Sequence, residues 1–188
     1  MEVKNNKKGS IDLYIGPMFS GKSTMLIRIA NKYKSIGKKI LAINNKKDNR
    51  YGYNKIITHD KISIDCIMVD NLNTILEKYY NEFIEADIIL IEELQFFDDI
   101  SFIIKAVDKY YKKIIVTGLD GNYLRKPFQS VIDLIPYADN IKKLTGFCKT
   151  CSNETPGIFS KRIINLDSNI LIGGEDKYIC VCRKCYLS

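Results

Sequence analysis

Apolar residues in this chain follow two alternating patterns, which predict strands and helices in turn. Short, mostly apolar runs at 11–15, 40–43, 88–91 and 114–116 predict strands, of which the runs at 40–43 and 114–116 are expected to be buried and the continuous run at 88–91 is typical of a strand covered on both faces. Between these runs, apolar residues recur at helical spacing. Strands that alternate with helices predict an α/β fold with a mostly parallel sheet, flanked by helices and joined by right-handed crossovers.

Three predicted helices separate or follow the strands. The first begins at Lys22, the second covers 72–83 and the third covers 102–110. The polar residues that can cap the second and third helices are Asp70 or Asn71, and Asp98 and Asp99. The polar and basic stretch 44–54, which follows the second strand, predicts a loop.

A complete phosphate-binding loop of the form G-x-x-x-x-G-K-[ST] lies at 16–23, which reads Gly-Pro-Met-Phe-Ser-Gly-Lys-Ser. Such a loop points consecutive backbone N–H groups at a polyphosphate, while Lys22 can reach the β- and γ-phosphates and Ser23 can bind Mg²⁺. The helix that begins at Lys22 directs its dipole at the same phosphates. The alternative, a chance match in a turn, is disfavoured by the strand before the loop and the helix after it. The fold is therefore expected to be P-loop NTPase-like. The predicted ATP- and Mg²⁺-binding residues are Gly16, Pro17, Met18, Phe19, Ser20, Gly21, Lys22, Ser23, Thr24 and Glu92.

Two adjacent carboxylates, Glu92 and Glu93, end the strand at 88–91 directly. One of them can hold Mg²⁺ opposite Ser23, either directly or through water, and the other can deprotonate an attacking hydroxyl or water. The segment 118–121 follows the next strand. Because ligands bind beyond the carboxyl ends of parallel strands, all three segments are expected at one edge of the sheet. A solvated acidic turn is the alternative.

Five of the six cysteines lie near the end of the chain and include two C-x-x-C pairs. The pairs predict a structural Zn²⁺ site of four thiolates without an open position. The predicted ligands are Cys148, Cys151, Cys182 and Cys185. The 30 residues between the pairs exceed the usual zinc-ribbon spacing, so a long excursion must leave and return. Cys180 is expected to be a spare thiol, Cys66 a core residue and His59, the single histidine, a local hydrogen-bonding group.

Chain length and composition indicate one core with a small appendage in 188 residues. We expect a flexible arm over 1–9, a nucleotide-binding domain over 10–145 and a zinc-binding domain over 146–188, because helical periodicity ends near 145. No run approaches the roughly 18 apolar residues of a membrane helix. The lysine-rich N-terminus does not resemble a secretory signal, so we expect a cytoplasmic protein without membrane contact.

The net charge of +7 is compatible with nucleic-acid binding. The lysines are spread along the chain, however, so this indication is weak and we expect no nucleic-acid partner. Two rival functions stay open on the motifs alone. One is an NTPase that works on nucleic acid, for which no arginine finger or motor surface is identifiable. The other is a zinc-ribbon module that binds DNA or RNA.

Taken together, the motifs resemble the type II thymidine kinases, the cellular and poxvirus-type family that phosphorylates thymidine. The similarity runs from about 11 to 186 with its motifs in the same order. The matching segments are Gly16-Pro-Met-Phe-Ser-Gly-Lys-Ser-Thr24, Asp48-Asn49-Arg50, Thr58-His59-Asp60, Glu92-Glu93-Leu94-Gln95-Phe96-Phe97, 118–128, Gly173-Gly174-Glu175-Asp176-Lys177-Tyr178 and the paired cysteines.

This resemblance implies transfer of the ATP γ-phosphoryl group to thymidine or deoxyuridine, giving dTMP in nucleotide salvage. It implies that Glu93 is the base for the 5′-hydroxyl, and that Lys22 and Arg50 neutralise the transferring group. Ser23 and Glu92 fall on the Mg²⁺ side. The implied lining of the nucleoside pocket is Met18, Phe96, Leu124, Phe128, Ile170, Leu171, Ile172, Gly173 and Tyr178.

The resemblance further implies a lasso-like loop over about 160–178 that zinc holds at its base, with Lys161 and Arg162 near phosphate. It also implies feedback inhibition by dTTP and a homotetramer. Glu92 departs from the family, which usually has Asp there, and the extra methylene should favour a water-mediated Mg²⁺ contact. Three residues follow Cys185, so no regulatory tail is expected.

Overall fold

A computed structural model describes residues 8–48, 54–58, 60–164 and 173–188 of the chain. The helices are α1 (Lys22–Lys34), α2 (Thr74–Lys78), α3 (Tyr80–Glu85), α4 (Ser101–Asp108), α5 (Gln129–Leu134) and α6 (Arg183–Leu187), with 3₁₀ turns at Leu94–Phe96 and Ile135–Tyr137. The strands are β1 (Ser10–Gly16), β2 (Ile40–Asn45), β3 (Lys55–Ile57), β4 (Ser63–Asp65), β5 (Ile67–Val69), β6 (Ile88–Ile91), β7 (Lys113–Leu119), β8 (Asn140–Lys143), β9 (Gly146–Phe147), β10 (Pro156–Gly157), β11 (Phe159–Arg162) and β12 (Tyr178–Val181).

Six strands form one parallel sheet in the order β5-β2-β6-β7-β1-β8. All four residues of β6 are buried, because helices cover both faces of the sheet. Ile89 and Ile91 pack into the cluster formed with α2 to α5, whereas Ile88 and Leu90 pack against α1 and the β3–β4 hairpin. The prediction of a parallel α/β fold is confirmed.

The predicted second helix over 72–83 is wrong in its continuity. It is divided into α2 and α3 at Tyr79, whose φ of −128° and ψ of 34° are not helical. Leu72, Ile75 and Phe83 are nevertheless fully buried. Packing against the sheet therefore determines the conformation of this segment. A continuous helix is not required to bury its apolar residues.

Other differences concern elements that lack a strong apolar pattern. The predicted loop over 44–54 begins two residues late, because β2 continues through Asn44 and Asn45. The strands β3, β4, β5 and β8 were not predicted. All four residues of β8 are exposed, so burial imposes no apolar pattern that would predict its pairing with β1.

The segment 146–188 contains two small antiparallel ladders, β9–β10 and β11–β12, followed by α6. The sulfur of Cys180 on β12 fills the space beside Gly146 and Gly157, which lie on the other ladder. The boundary of a separate domain at 145 stays a prediction. Within the described ranges, none of the helices has the length and apolar character that crossing a membrane requires.

Candidate functional site

The phosphate-binding loop connects β1 to α1 at the carboxyl edge of the sheet. A Cβ atom on Gly16 would lie 2.5 Å from the carbonyl oxygen of Leu144, so the loop can pass this backbone only with glycine there. The hydroxyl of Ser20 donates a hydrogen bond to the carbonyl of Pro17 at 2.8 Å. The backbone N–H of Met18 donates to the hydroxyl of Ser160 on β11 at 2.9 Å. The loop is therefore held both internally and by the C-terminal part of the chain.

Lys22 begins α1 with its side chain folded over the loop, and it is buried. Its ammonium group donates to the carbonyl oxygens of Pro17 at 2.6 Å and Gly16 at 3.2 Å. A phosphate that enters the loop can take over these donors. The next residue, Ser23, donates its hydroxyl hydrogen bond to the carboxylate of Glu92. The structure thus brings the predicted Mg²⁺-binding hydroxyl and the predicted acid together.

Glu92 is a buried carboxylate at the end of β6, and two hydroxyls, those of Ser23 and Thr117, donate hydrogen bonds to it. Burial, together with the neighbouring Glu93 carboxylate, raises the pKa of Glu92 to about 7, and the two hydroxyls oppose that rise. Thr117 lies on the neighbouring strand β7 and is itself buried. The sequence did not single out Thr117, because only the strand order places it beside Glu92.

The Glu93 carboxylate has different partners from that of Glu92, because the backbone conformation changes at Glu93. Its φ of 55° is in the left-handed region and it precedes the 3₁₀ turn Leu94–Phe96. The side-chain amide of Gln95 donates a hydrogen bond to the Glu93 carboxylate, while the Gln95 oxygen accepts one from the backbone N–H of Leu119 at 2.9 Å. Gln95 therefore holds the Glu93 carboxylate against β7. The sequence marked Gln95 only as part of a matching segment.

A single cavity joins the phosphate loop to both glutamates and to an aromatic region. The predicted site residues that line it are Met18, Phe19, Ser20, Gly21, Lys22, Ser23, Thr24, Glu92, Glu93, Phe96, Phe128, Gly173 and Tyr178. The sequence did not assign site roles to several further lining residues, among them Asn44, Asp48, Thr58, Gln95, Asn122 and Tyr123. Asn44 donates to the buried carboxylate of Asp48 at 3.1 Å.

Other predicted site residues either do not line the cavity or lie outside the described residues. Leu124 does not line the cavity and is 45% exposed. Arg50, Ile170, Leu171 and Ile172, and also His59, lie outside the described residues. Lys161 and Arg162, which were expected near phosphate, have protein partners in the structure, and their proximity to phosphate stays a prediction. Lys161 donates to the carbonyl of Cys185 at 2.7 Å, and Arg162 lies 3.7 Å from the ring centre of Tyr123 and donates to the hydroxyl of Tyr178 at 3.1 Å.

The four predicted metal ligands converge, and their sulfur atoms all lie within 4.8 Å of one another. The sulfur of Cys151 is 3.5 Å from that of Cys185 and 3.9 Å from that of Cys182. Thiolates about 2.3 Å from a tetrahedral Zn²⁺ are roughly 3.8 Å apart. The cluster, which also includes Cys148, therefore fits zinc in spacing and in donor type.

The two remaining cysteines do not belong to this cluster. Cys180 is buried, and burial raises the pKa of its thiol. Cys66 packs in the core below α1, where burial raises the pKa of its thiol to about 12. Both thiols are thus buried packing groups outside the metal-ligand cluster.

The sequence matches the family model described as thymidine kinase over residues 9–186. It is 44% identical over 184 residues to thymidine kinase 1 of Dictyostelium discoideum. This match covers 96% of this chain and 78% of that protein. It is 43% identical over 178 residues to the thymidine kinase of rabbit fibroma virus, covering 95% of this chain and 96% of that protein. The variola virus thymidine kinase is 41% identical over 179 residues, covering 95% and 97%, respectively. A solved structure titled DNA replication initiation factor aligns with 72% of this chain and 40% of its own at 12% identity and a TM-score of 0.43, a similarity too low to bear on function.

Proposed function

The chain belongs to the thymidine kinase family and phosphorylates thymidine with ATP, and we propose that Glu93 is the base of this reaction and Lys22 its phosphate-binding cation. The observation that carries the proposal is that Lys22 and Glu93 line the same cavity, whose lining also includes aromatic side chains. A polyphosphate at the loop and a nucleoside beside the aromatic residues would then meet between these two groups.

The phosphate loop is proposed to bind the β- and γ-phosphates of ATP. The ammonium of Lys22, which now bonds to the carbonyls of Gly16 and Pro17, would turn to the phosphate oxygens. Phosphoryl transfer depends mainly on positioning and on neutralising charge. Arg50 is proposed as the second cation on the strength of the matching segment alone, since it lies outside the described residues.

The Mg²⁺ site is proposed at Ser23 and Glu92, whose hydrogen bond already joins the loop to the end of β6. Ser23 and Glu92 would hold the ion, which would supply positive charge to neutralise the phosphates. The hydroxyl of Ser23 is a suitable donor and the Glu92 carboxylate is held by a second hydroxyl on Thr117. Because two protein hydroxyls already donate to the Glu92 carboxylate, we propose that its contact with Mg²⁺ passes through a water molecule.

Glu93 is proposed to accept the proton of the 5′-hydroxyl as that oxygen attacks the γ-phosphorus. The new O–P bond forms as the bond between the γ-phosphorus and the bridging oxygen breaks, and ADP leaves with the electron pair. The hydrogen bond from Gln95 orients the Glu93 carboxylate for this transfer. The nucleoside pocket is proposed at Met18, Phe96, Phe128, Gly173 and Tyr178, which line the cavity, together with 170–172 and Leu124 from the resemblance.

Zn²⁺ is proposed as a structural ion bound by Cys148, Cys151, Cys182 and Cys185. All four positions of a tetrahedral ion would be filled by thiolates, so no position is open for a substrate. None of the six cysteines, all of which are described, forms a disulfide bond, which supports a reducing compartment such as the cytoplasm. A zinc assay on the purified protein, expected to give one ion per chain, tests the site.

Inhibition by dTTP is also proposed. A thymidine moiety in the pocket and a triphosphate that extends to the loop would occupy both halves of one cavity. A homotetramer is proposed from the resemblance, and the exposed apolar residues Ile132, Ile135, Tyr137 and Ile141 supply surface for it. Inhibition kinetics and sedimentation, respectively, check these two proposals.

The experiment that tests the catalytic assignment is Glu93→Gln. The amide keeps the shape of the side chain but cannot take the proton, so turnover should fall by about 10²- to 10⁴-fold while thymidine still binds. Glu82→Gln, at an exposed position of α3, is the matched control. Turnover close to that of the wild type in the Glu93 variant would remove Glu93 as the base. A panel of nucleosides assayed with ATP then measures the preference for thymidine over deoxyuridine.

A further inference from the structure

The nucleoside side of the cavity is bordered by a tight turn at 121–126, which we call the pocket turn. Gly121, Asn122 and Tyr123 line the cavity. The side-chain oxygen of Asn122 accepts hydrogen bonds from the backbone N–H groups of Leu124 and Lys126, and the Asn122 carbonyl accepts one from Arg125 at 2.8 Å. These bonds tie the backbone of the turn together around Asn122.

Tyr186, in α6, fastens this turn from outside the cavity. Its hydroxyl donates a hydrogen bond to the carbonyl of Tyr123 at 2.7 Å. The guanidinium of Arg125 lies over the Tyr186 ring, 4.5 Å from its centre, and the ring of Phe159 packs beside it at 5.2 Å. Two residues of the pocket turn are thus held by one side chain that itself does not line the cavity.

The position of Tyr186 depends in turn on the cysteine cluster. Tyr186 directly follows Cys185, and its backbone N–H donates to the carbonyl of Cys182 at 3.0 Å. Both cysteines are candidate zinc ligands. A metal that draws their sulfur atoms together therefore fixes the short helix from which Tyr186 extends.

We propose that Tyr186 is a positioning residue that couples metal binding at the four cysteines to thymidine binding in the cavity, through its hydrogen bond to the pocket turn. This inference rests on the proposed zinc site and nucleoside pocket. It assigns the metal a second consequence beyond holding the C-terminal segment together, because metal occupancy sets the shape of one wall of the pocket. The coupling through the Tyr186 hydroxyl reaches the nucleoside side and not the phosphate loop, because that hydroxyl bonds to the pocket turn, whereas the loop bonds to Ser160 and within itself.

Thermodynamic reciprocity makes this coupling measurable from both directions. If zinc strengthens thymidine binding by a given factor, thymidine must strengthen zinc binding by the same factor. A hydrogen bond between uncharged groups contributes about 0.5–1.5 kcal/mol, so the Tyr186 hydroxyl should account for a factor of about three to ten.

The test compares the wild type with Tyr186→Phe, which removes the hydroxyl and keeps the ring. Thymidine affinity is measured by calorimetry with the zinc-loaded and chelator-treated protein, and zinc affinity by competition with a chromophoric chelator, with and without thymidine. We expect Tyr186→Phe to raise the Kd and KM for thymidine by about three- to tenfold, with the KM for ATP unchanged and the mutual effect of zinc and thymidine reduced by the same factor. Tyr111→Phe, at an exposed site at the opposite edge of the sheet, is the matched control.

Arg125→Gln provides a second variant, since it removes the cation from the Tyr186 ring and leaves the hydroxyl bond, so a smaller loss in the same direction is expected. An undiminished mutual effect of zinc and thymidine in Tyr186→Phe would overturn the inference, as would equal losses for ATP and thymidine. Failure of the wild type to bind thymidine or zinc would instead contradict the proposed function.

Discussion

At the scale of single residues, two adjacent glutamates have different environments, because the backbone at Glu93 is left-handed and leads into the turn Leu94–Phe96. Glu92 receives two hydroxyl donors and points toward the phosphate loop, whereas Glu93 has a left-handed backbone and an amide donor. These different environments support the proposal that Glu92 is the metal-side acid and Glu93 the base. Adjacent positions at a strand end point in different directions, so the sequence could predict the division but not which donors would enforce it.

Thr117→Val tests the environment of Glu92. Loss of the hydroxyl should raise the pKa of Glu92 further above about 7. Because Mg²⁺ needs the ionised carboxylate, the Mg²⁺ concentration for half-maximal turnover should increase by about three- to tenfold at neutral pH and below. The difference in Mg²⁺ requirement between the variant and the wild type should shrink well above the pKa of Glu92, where this carboxylate is ionised in both proteins.

Comparison of the two proteins at each pH cancels the titration of ATP itself, and Thr74→Val in α2 serves as the control. An identical Mg²⁺ requirement in Thr117→Val and the wild type at pH 7 would argue that Glu92 does not contact the ion.

At the scale of elements, the strands that carry the site were predictable from their apolar runs, most clearly β6, all of whose residues are buried. The apolar runs of β1, β2, β6 and β7 contain the sheet centre and place the phosphate loop and the glutamates at one edge. The exposed strand β8 and the break between α2 and α3 were not predictable. Their form is set by neighbours distant in sequence, such as β1 for β8, and not by their own side-chain pattern.

The contact between the two C-terminal ladders offers a test at this scale. A Cβ atom at Gly157 would lie 2.5 Å from the sulfur of Cys180 and 3.0 Å from the carbonyl oxygen of Phe147. Gly157→Ala should therefore lower the free energy of unfolding by about 1–3 kcal/mol. Adding Cys180→Ala should recover part of this loss, because it removes the nearer atom. Denaturant titration measures both.

Gly174→Ala, where an added Cβ meets no atom closer than 3.6 Å, is the control. Cys180→Ala alone should retain its full zinc content, since Cys180 is a packing residue. A double variant that merely adds the two separate losses would show that Cys180 and position 157 do not interact.

At the scale of the whole molecule, charged residues are spread along the chain, while the cavity is lined by both charged and aromatic side chains. Lys22 and two glutamates lie toward the phosphate loop, and Phe96 and Phe128 line the cavity where the nucleoside is proposed to bind. Thymidine is uncharged. The net charge of +7 should therefore have little influence on its affinity.

We expect the thymidine KM at saturating ATP to change by less than about twofold between about 50 and 200 mM KCl. ATP, whose phosphates meet cations, should bind more weakly as salt rises. Fluorescence anisotropy with a labelled oligonucleotide provides the comparison, and no binding is expected at the higher salt concentration. Tight oligonucleotide binding with a steep salt dependence would indicate a nucleic-acid function.

The order of the strands in the sheet also affects how this protein folds during its synthesis. β1 lies between β7 and β8, so Ile11 pairs with Ile114 and Leu13 with Ile141. On the ribosome the first strand emerges early, yet its partners are among the later ones to be translated, and such distant pairings form slowly. The nascent chain must hold its apolar N-terminal strand without partners throughout that interval. A polypeptide stalled before β7 consequently carries an intact phosphate-loop sequence but no assembled nucleotide site.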